Sequence, residues 1–174
     1  MFDFLQKLLS PKTSNAAKTW TLIQKKAGKQ ALSGYWLYAA PVHLVLQRDS
    51  FSLGAPAPLP LEIDEIQAFT TTLNQHFNQD VDADKLQFFW HENTWFLRLD
   101  ANPAIQTSAP QAAVNKYINA FLPTGNGAAQ WAKFSNEIQM LLFEHPVNLA
   151  REANNMQTVN SIWCYGGDQI ELGK

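Results

Sequence analysis

The apolar residues of this chain change period repeatedly, and nowhere do they repeat the strand-helix-strand order that builds a parallel sheet. From Gly34 the period is two. Tyr35 to Ala39, Val42 to Gln47 and Phe51 to Leu53 read as short strands, the last two joined through Arg48-Asp49-Ser50 as a tight hairpin. Strand side chains alternate, so Val42, Leu44 and Leu46 share one face and His43, Val45 and Gln47 the other. The connector GAPAPLPLE at 54–62 is too stiff and too poor in amide donors for a helix. Beyond it Ile63, Ile66, Phe69, Leu73 and Phe77 recur at helical spacing. Asp64 as cap and Gln67 as its capping-box partner predict a helix over 65–78.

Lys85 to Trp90 and Thr94 to Leu99 return to period two, turned by His91-Glu92-Asn93. Val114, Ile118 and Phe121 mark a helix that ends at Leu122-Pro123, and Trp131, Phe134, Ile138, Leu141 and Leu142 mark another that ends before His145-Pro146. Thr158 to Tyr165 reads as a last strand, stopped by Gly166-Gly167. This order predicts an α+β fold: an antiparallel or mixed sheet of about five to six short strands, with helices packed on one face.

That domain, 34–174, follows a basic leader, 1–33. Residues 1–30 carry Lys7, Lys12, Lys18, Lys25, Lys26 and Lys29 against Asp3, whereas the rest of the chain has twice as many acidic as basic side chains. Phe2, Leu5, Leu8 and Leu9 form an amphipathic helix stopped by Ser10-Pro11. A second helix with Ser14 as cap places Ala16, Trp20, Ile23 and Ala27 on one side. Such helices either pack on their own domain or touch a membrane surface or a partner.

The 174 residues are 46% hydrophobic, enough for one core, and only 16% charged, with neutral Asn and Gln wetting much of the surface. No apolar run reaches the ~20 residues of a transmembrane helix. The start lacks the features of a signal peptide, and the lone Cys164 excludes an internal disulfide framework, so a cytoplasmic setting is expected. The glycine pairs match no phosphate loop, and no Gly-x-Ser-x-Gly elbow is present. The acidic body argues against nucleic acid, and Trp36, Tyr38, Phe89 and Phe96 read as core rather than as a base-stacking platform.

His43, His76, His91 and His145 lie far apart without metal-ligand spacing, so neither a metal nor another cofactor is expected. The densest polar string is NEIQMLLFEHPVNLAREANNMQTVN at 136–160, where a helix breaks among His, Asn, Arg and Glu. Such a break either gathers polar groups around a ligand or satisfies loose backbone groups. The candidate ligand- or partner-binding residues are His43, Arg98, His145, Asn148, Arg151, Glu152 and Asn160. In one reading they line a polar cleft for a protein partner or a small anionic ligand. In a second, Arg98 and Arg151 clamp a phosphorylated substrate while His43 or His145 transfers a proton. In a third, the string builds the fold, with Asn160 bonding backbone.

Ala40-Pro41-Val42-His43-Leu44, Arg48-Asp49, Leu73-Asn74-Gln75-His76-Phe77, Trp95-Phe96-Leu97-Arg98-Leu99 and above all the string from Asn136 to Gly167 resemble the bacterial RpfE-type regulatory proteins, some of which carry the label of cofactor-independent phosphoglycerate mutase-like. The resemblance covers 35–167. The family usually has an acidic residue where Ala40 stands and Trp-x-Trp-Gly-Gly-Gly where this chain has Trp163-Cys164-Tyr165-Gly166-Gly167-Asp168, and many members extend further at both ends. The resemblance implies a regulatory role. The mutase label implies a serine nucleophile and two metals held by Asp and His residues, a set that four scattered histidines do not match.

Overall fold

In the computed structural model the described residues are 16–30, 32–79 and 86–171, and the expected helix at Phe2 to Leu9 lies outside them. Helix α1 (Ala16–Lys26) precedes strands β1 (Gly34–Val42), β2 (Leu44–Leu46) and β3 (Phe51–Leu53). Helix α2 (Ile63–Phe77) is followed by β4 (Gln87–His91) and β5 (Thr94–Leu99). The short α3 (Pro110–Ala113), a 3-10 turn (Ile118–Phe121), α4 (Ala128–Phe143), α5 (Pro146–Ala153) and β6 (Ser161–Ile170) complete the described chain. The fold is α+β. One antiparallel sheet runs β4-β5-β1-β6, and β2 pairs with β3 as a separate hairpin.

Alternation along the strands sorts the core into faces. Leu37, Ala39, Phe88 and Leu97 meet Ile66, Phe69 and Leu73 of α2 and Trp131, Ile138 and Leu142 of α4, with Val147 of α5 packed alongside. Trp36, Tyr38 and Phe96 point the other way and are covered by Ala16, Ala17 and Trp20 of α1. Three helices thus share one face, as the pattern predicts, and α1 roofs the other. A third cluster joins Val42, Leu44 and Leu53 of the hairpin region to Ala113, Ile118 and Trp163.

Three local expectations change. Helix α2 starts at Ile63, capped by Glu62, whose backbone N–H donates to the Glu65 carboxylate at 2.9 Å, so the capping box uses Glu62 and Glu65 rather than Asp64 and Gln67. The stretch expected to be helical around Val114 is broken because its backbone serves β3: Asn115 N–H donates to the Leu53 carbonyl, and Leu53 N–H to the Lys116 carbonyl. Finally, β6 runs through Gly166-Gly167 to Ile170, with an irregularity opposite Leu37 and Tyr38 of β1. Among the described residues no helix is long and apolar enough to cross a membrane.

Candidate functional site

Four of the seven candidate residues meet at the stretch from Gln157 to Asn160, which leads into β6. Arg151 donates from Nε to the Gln157 carbonyl at 2.6 Å. His43 holds the Thr158 carbonyl through Nδ1 at 2.8 Å. Because a carbonyl only accepts, that nitrogen carries the proton. Asn148 accepts from the Val159 N–H at 2.9 Å and donates to the Val159 carbonyl at 2.8 Å and the Leu142 carbonyl at 2.7 Å. Asn160 does the same for Leu44, accepting from its N–H at 2.7 Å and donating to its carbonyl at 2.8 Å. Each of these two amides imitates a strand partner where β pairing has lapsed, so the backbone groups stay bonded.

His145 stands one layer away as the N-cap of α5, ahead of Pro146 in the first helical position, where proline's missing N–H costs nothing. Its Nδ1 accepts from the Val147 N–H, which places the proton on Nε2, 3.0 Å from the Thr72 hydroxyl of α2. The ring lies 4.5 Å from the Phe69 ring, centroid to centroid. Burial lowers its pKa below the ordinary value of 6.5, opposed by a hydrogen bond with the Ala68 carbonyl. The imidazole is therefore held neutral, as a cap between two helices.

Arg98 belongs elsewhere. It pairs in register with Trp36 and, counted along β1, lies seven residues from His43, roughly 23 Å of extended strand. Its Nε donates to the Ser33 carbonyl at 2.6 Å, and its Nη2 meets the Asp100 carboxylate at 2.7 Å. The sheet therefore does not gather His43 and Arg98 into one pocket. Glu152 is exposed on α5.

Arg151 also borders a groove of about 380 Å³ between the start of α2 and α5. Ala68, Val147, Ala150 and Met156 supply apolar surface, while Asp64, Glu65, Arg151 and Asn154 supply polar groups. Arg151 is only 4% exposed, and its Nη1 donates to both Glu65 oxygens at 2.9 Å. The guanidinium is thus already neutralised where it borders the groove. Sequence reasoning missed Asp64, Glu65 and Met156 as one site because Met156 is remote in the chain from the adjacent pair Asp64 and Glu65. The one available signal was Glu65 three residues after Glu62, which points to a cap and not to an ion pair.

Cys164 is buried, and burial pushes its thiol up to about 12, far from a reactive thiolate. Among the described residues no three His, Cys, Asp or Glu side chains stand close enough to hold a metal ion.

No protein-family model matches the sequence, and no curated protein matches it. The folded chain is similar to the solved structure of a cofactor-independent phosphoglycerate mutase from Thermoplasma acidophilum DSM 1728, with a TM-score of 0.57 at 15% sequence identity. The match covers 83% of this chain and 40% of that one. At that identity the likeness concerns fold alone: this α+β chain is shaped like a part, less than half, of that mutase.

Proposed function

We propose that this chain is a non-catalytic interaction module of the cytoplasm that receives a partner in the groove between α2 and α5. The observation that carries the reading is how the polar string is used. His43, Asn148, Arg151 and Asn160 are spent on backbone groups, and what remains open beside them is a half-apolar groove. A general acid or base needs a titrating group that reaches a substrate, and His145, at 5% exposure and held neutral, offers none. With Asp64 at its rim and Arg151 and Glu65 already paired with each other, the groove favours an apolar group that carries a positive charge over an anion. A peptide segment with a Lys or Arg beside an apolar side chain fits that description.

Arg151 and Asn148 hold the fold, so the test belongs at exposed Ala150. Ala150→Arg fills the groove with bulk and like charge for such a partner. The partner captured by the parent protein in a pull-down should be lost, with an unchanged melting temperature. Capture equal to the parent's would reject the groove.

The likeness in fold favours a second reading, an enzyme acting on a phosphorylated small molecule. Arg98 and Arg151 lie too far apart to clamp one phosphate, so Arg98 with Asp100 would have to act alone. Mutase and phosphatase assays with manganese or magnesium decide it: turnover that an Arg98→Gln variant loses would replace the first reading, and no turnover above that variant would remove the second.

A further inference from the structure

We propose that the outward face of α1 docks this protein on an anionic lipid surface. At 100° per residue, Lys18, Leu22, Lys25 and Lys26 fall within an arc of about 100°, opposite the buried Ala16, Ala17, Trp20 and Gln24. Lys29 follows directly after Gly28, whose left-handed φ of 69° ends the helix, and its N–H closes the cap on the Gln24 carbonyl at 2.9 Å. All four lysines are exposed. The chain has no acidic side chain between Asp3 and Asp49, and β6, which packs on α1 beside β1, carries Asp168.

The rest of the charge distribution orients the molecule. Asp64 sits on α2, across the sheet from α1, because α2 packs on Leu37 and Leu97 whereas α1 packs on Trp36 and Phe96. An anionic surface would attract the α1 side and repel the α2 side, leaving the groove between α2 and α5 facing away from it.

Two observations favour lipid over nucleic acid. Leu22 is 61% exposed in the middle of the lysines, an apolar group placed where acyl chains begin beneath a headgroup layer. The aromatic rings that would stack on bases are under α1: Trp20 lies 5.5 Å from Trp36, 4.9 Å from Phe89 and 5.2 Å from Phe96 by ring centroids.

The experiment is co-sedimentation of the full-length chain with phosphatidylcholine vesicles, with and without phosphatidylglycerol. A lysine near an anionic surface contributes roughly fivefold to partitioning, so Lys25→Gln with Lys26→Gln should weaken binding roughly 25-fold. Leu22→Gln should weaken it several-fold, and raised salt should abolish it. These positions are exposed, and an unchanged near-ultraviolet spectrum confirms folding. The proposal is overturned if the parent ignores phosphatidylglycerol. It is overturned equally if Lys7→Gln with Lys12→Gln removes all binding while the α1 pair does not, since the leader alone would then be the anchor. A single-stranded oligonucleotide bound in a Lys25-dependent, Leu22-independent way, with no vesicle binding, would assign the face to nucleic acid instead.

Discussion

Asn148 and Asn160 show what an amide side chain can do that a carboxylate cannot: each accepts from the backbone N–H of one residue and donates to that residue's carbonyl, and Asn148 donates to the Leu142 carbonyl as well. Leaving buried partners unpaired costs about 1–3 kcal/mol each, so Asn148→Ala and Asn160→Ala should both lower stability, Asn148→Ala more because it is buried and serves three groups. Asn148→Asp, isosteric but unable to donate, should fall below even Asn148→Ala in a denaturant titration at neutral pH. His145 gives the pH dependence. Its folded pKa is lowered, so the unfolded chain takes up the proton first. Stability is then complete above about pH 6.5 and declines as pH falls from there toward the folded pKa. His145→Asn keeps a capping oxygen and removes the titration, so melting curves between pH 7 and pH 5 should be flatter than the parent's by that component. The sequence made the residue types of this string legible but not their partners. Leu44 is over a hundred positions from Asn160 and Glu65 more than eighty from Arg151, and no local period reports such pairings.

At the scale of elements, hydrophobic period located the strands and long helices well, since each buries one face against the same sheet. It failed where tertiary bonds outvote local pattern. Residues 114–121 carry helical spacing, but Asn115 takes a left-handed φ of 59° and its backbone bonds β3. Gly166-Gly167 reads as a stop, yet β6 continues, because glycine solves two problems at this point of the sheet. Gly166 takes a left-handed φ of 59° next to the irregularity in the β1–β6 pairing. Gly167 lies against the Tyr35 ring, and a Cβ there would overlap that ring. Gly167→Ala should therefore cost about 1–3 kcal/mol, the range for forcing extra atoms into a packed site. In a double-mutant cycle with Tyr35→Ala the added cost should shrink, because the clash is with that side chain; purely additive losses would mean that the backbone, not Tyr35, resists the methyl group.

Among the described residues, the four-stranded sheet is covered on both faces, by α2, α4 and α5 on one and by α1 on the other. That second face depends on a few residues, with Trp20 at its centre among Trp36, Phe89 and Phe96. Trp20→Ala should cost about 3–5 kcal/mol, the usual loss for truncating a buried aromatic ring, and leave Trp36 and Phe96 reachable by a hydrophobic dye. Trp20→Phe should behave quite differently. The indole Nε1 is buried with no hydrogen-bond partner among the described residues, so the native residue already bears the penalty of an unsatisfied donor. Phenylalanine gives up some buried area but also removes that donor, and the two terms oppose each other. Its melting temperature should stay close to the parent's while Trp20→Ala falls by many degrees. If both variants lose stability alike, the indole ring is held by its shape alone and the unpaired donor is without consequence. Because α1 and the groove lie on opposite sides of the sheet, partner capture by folded Trp20→Phe should match the parent's, which separates the role of α1 in holding the sheet from recognition at α2 and α5.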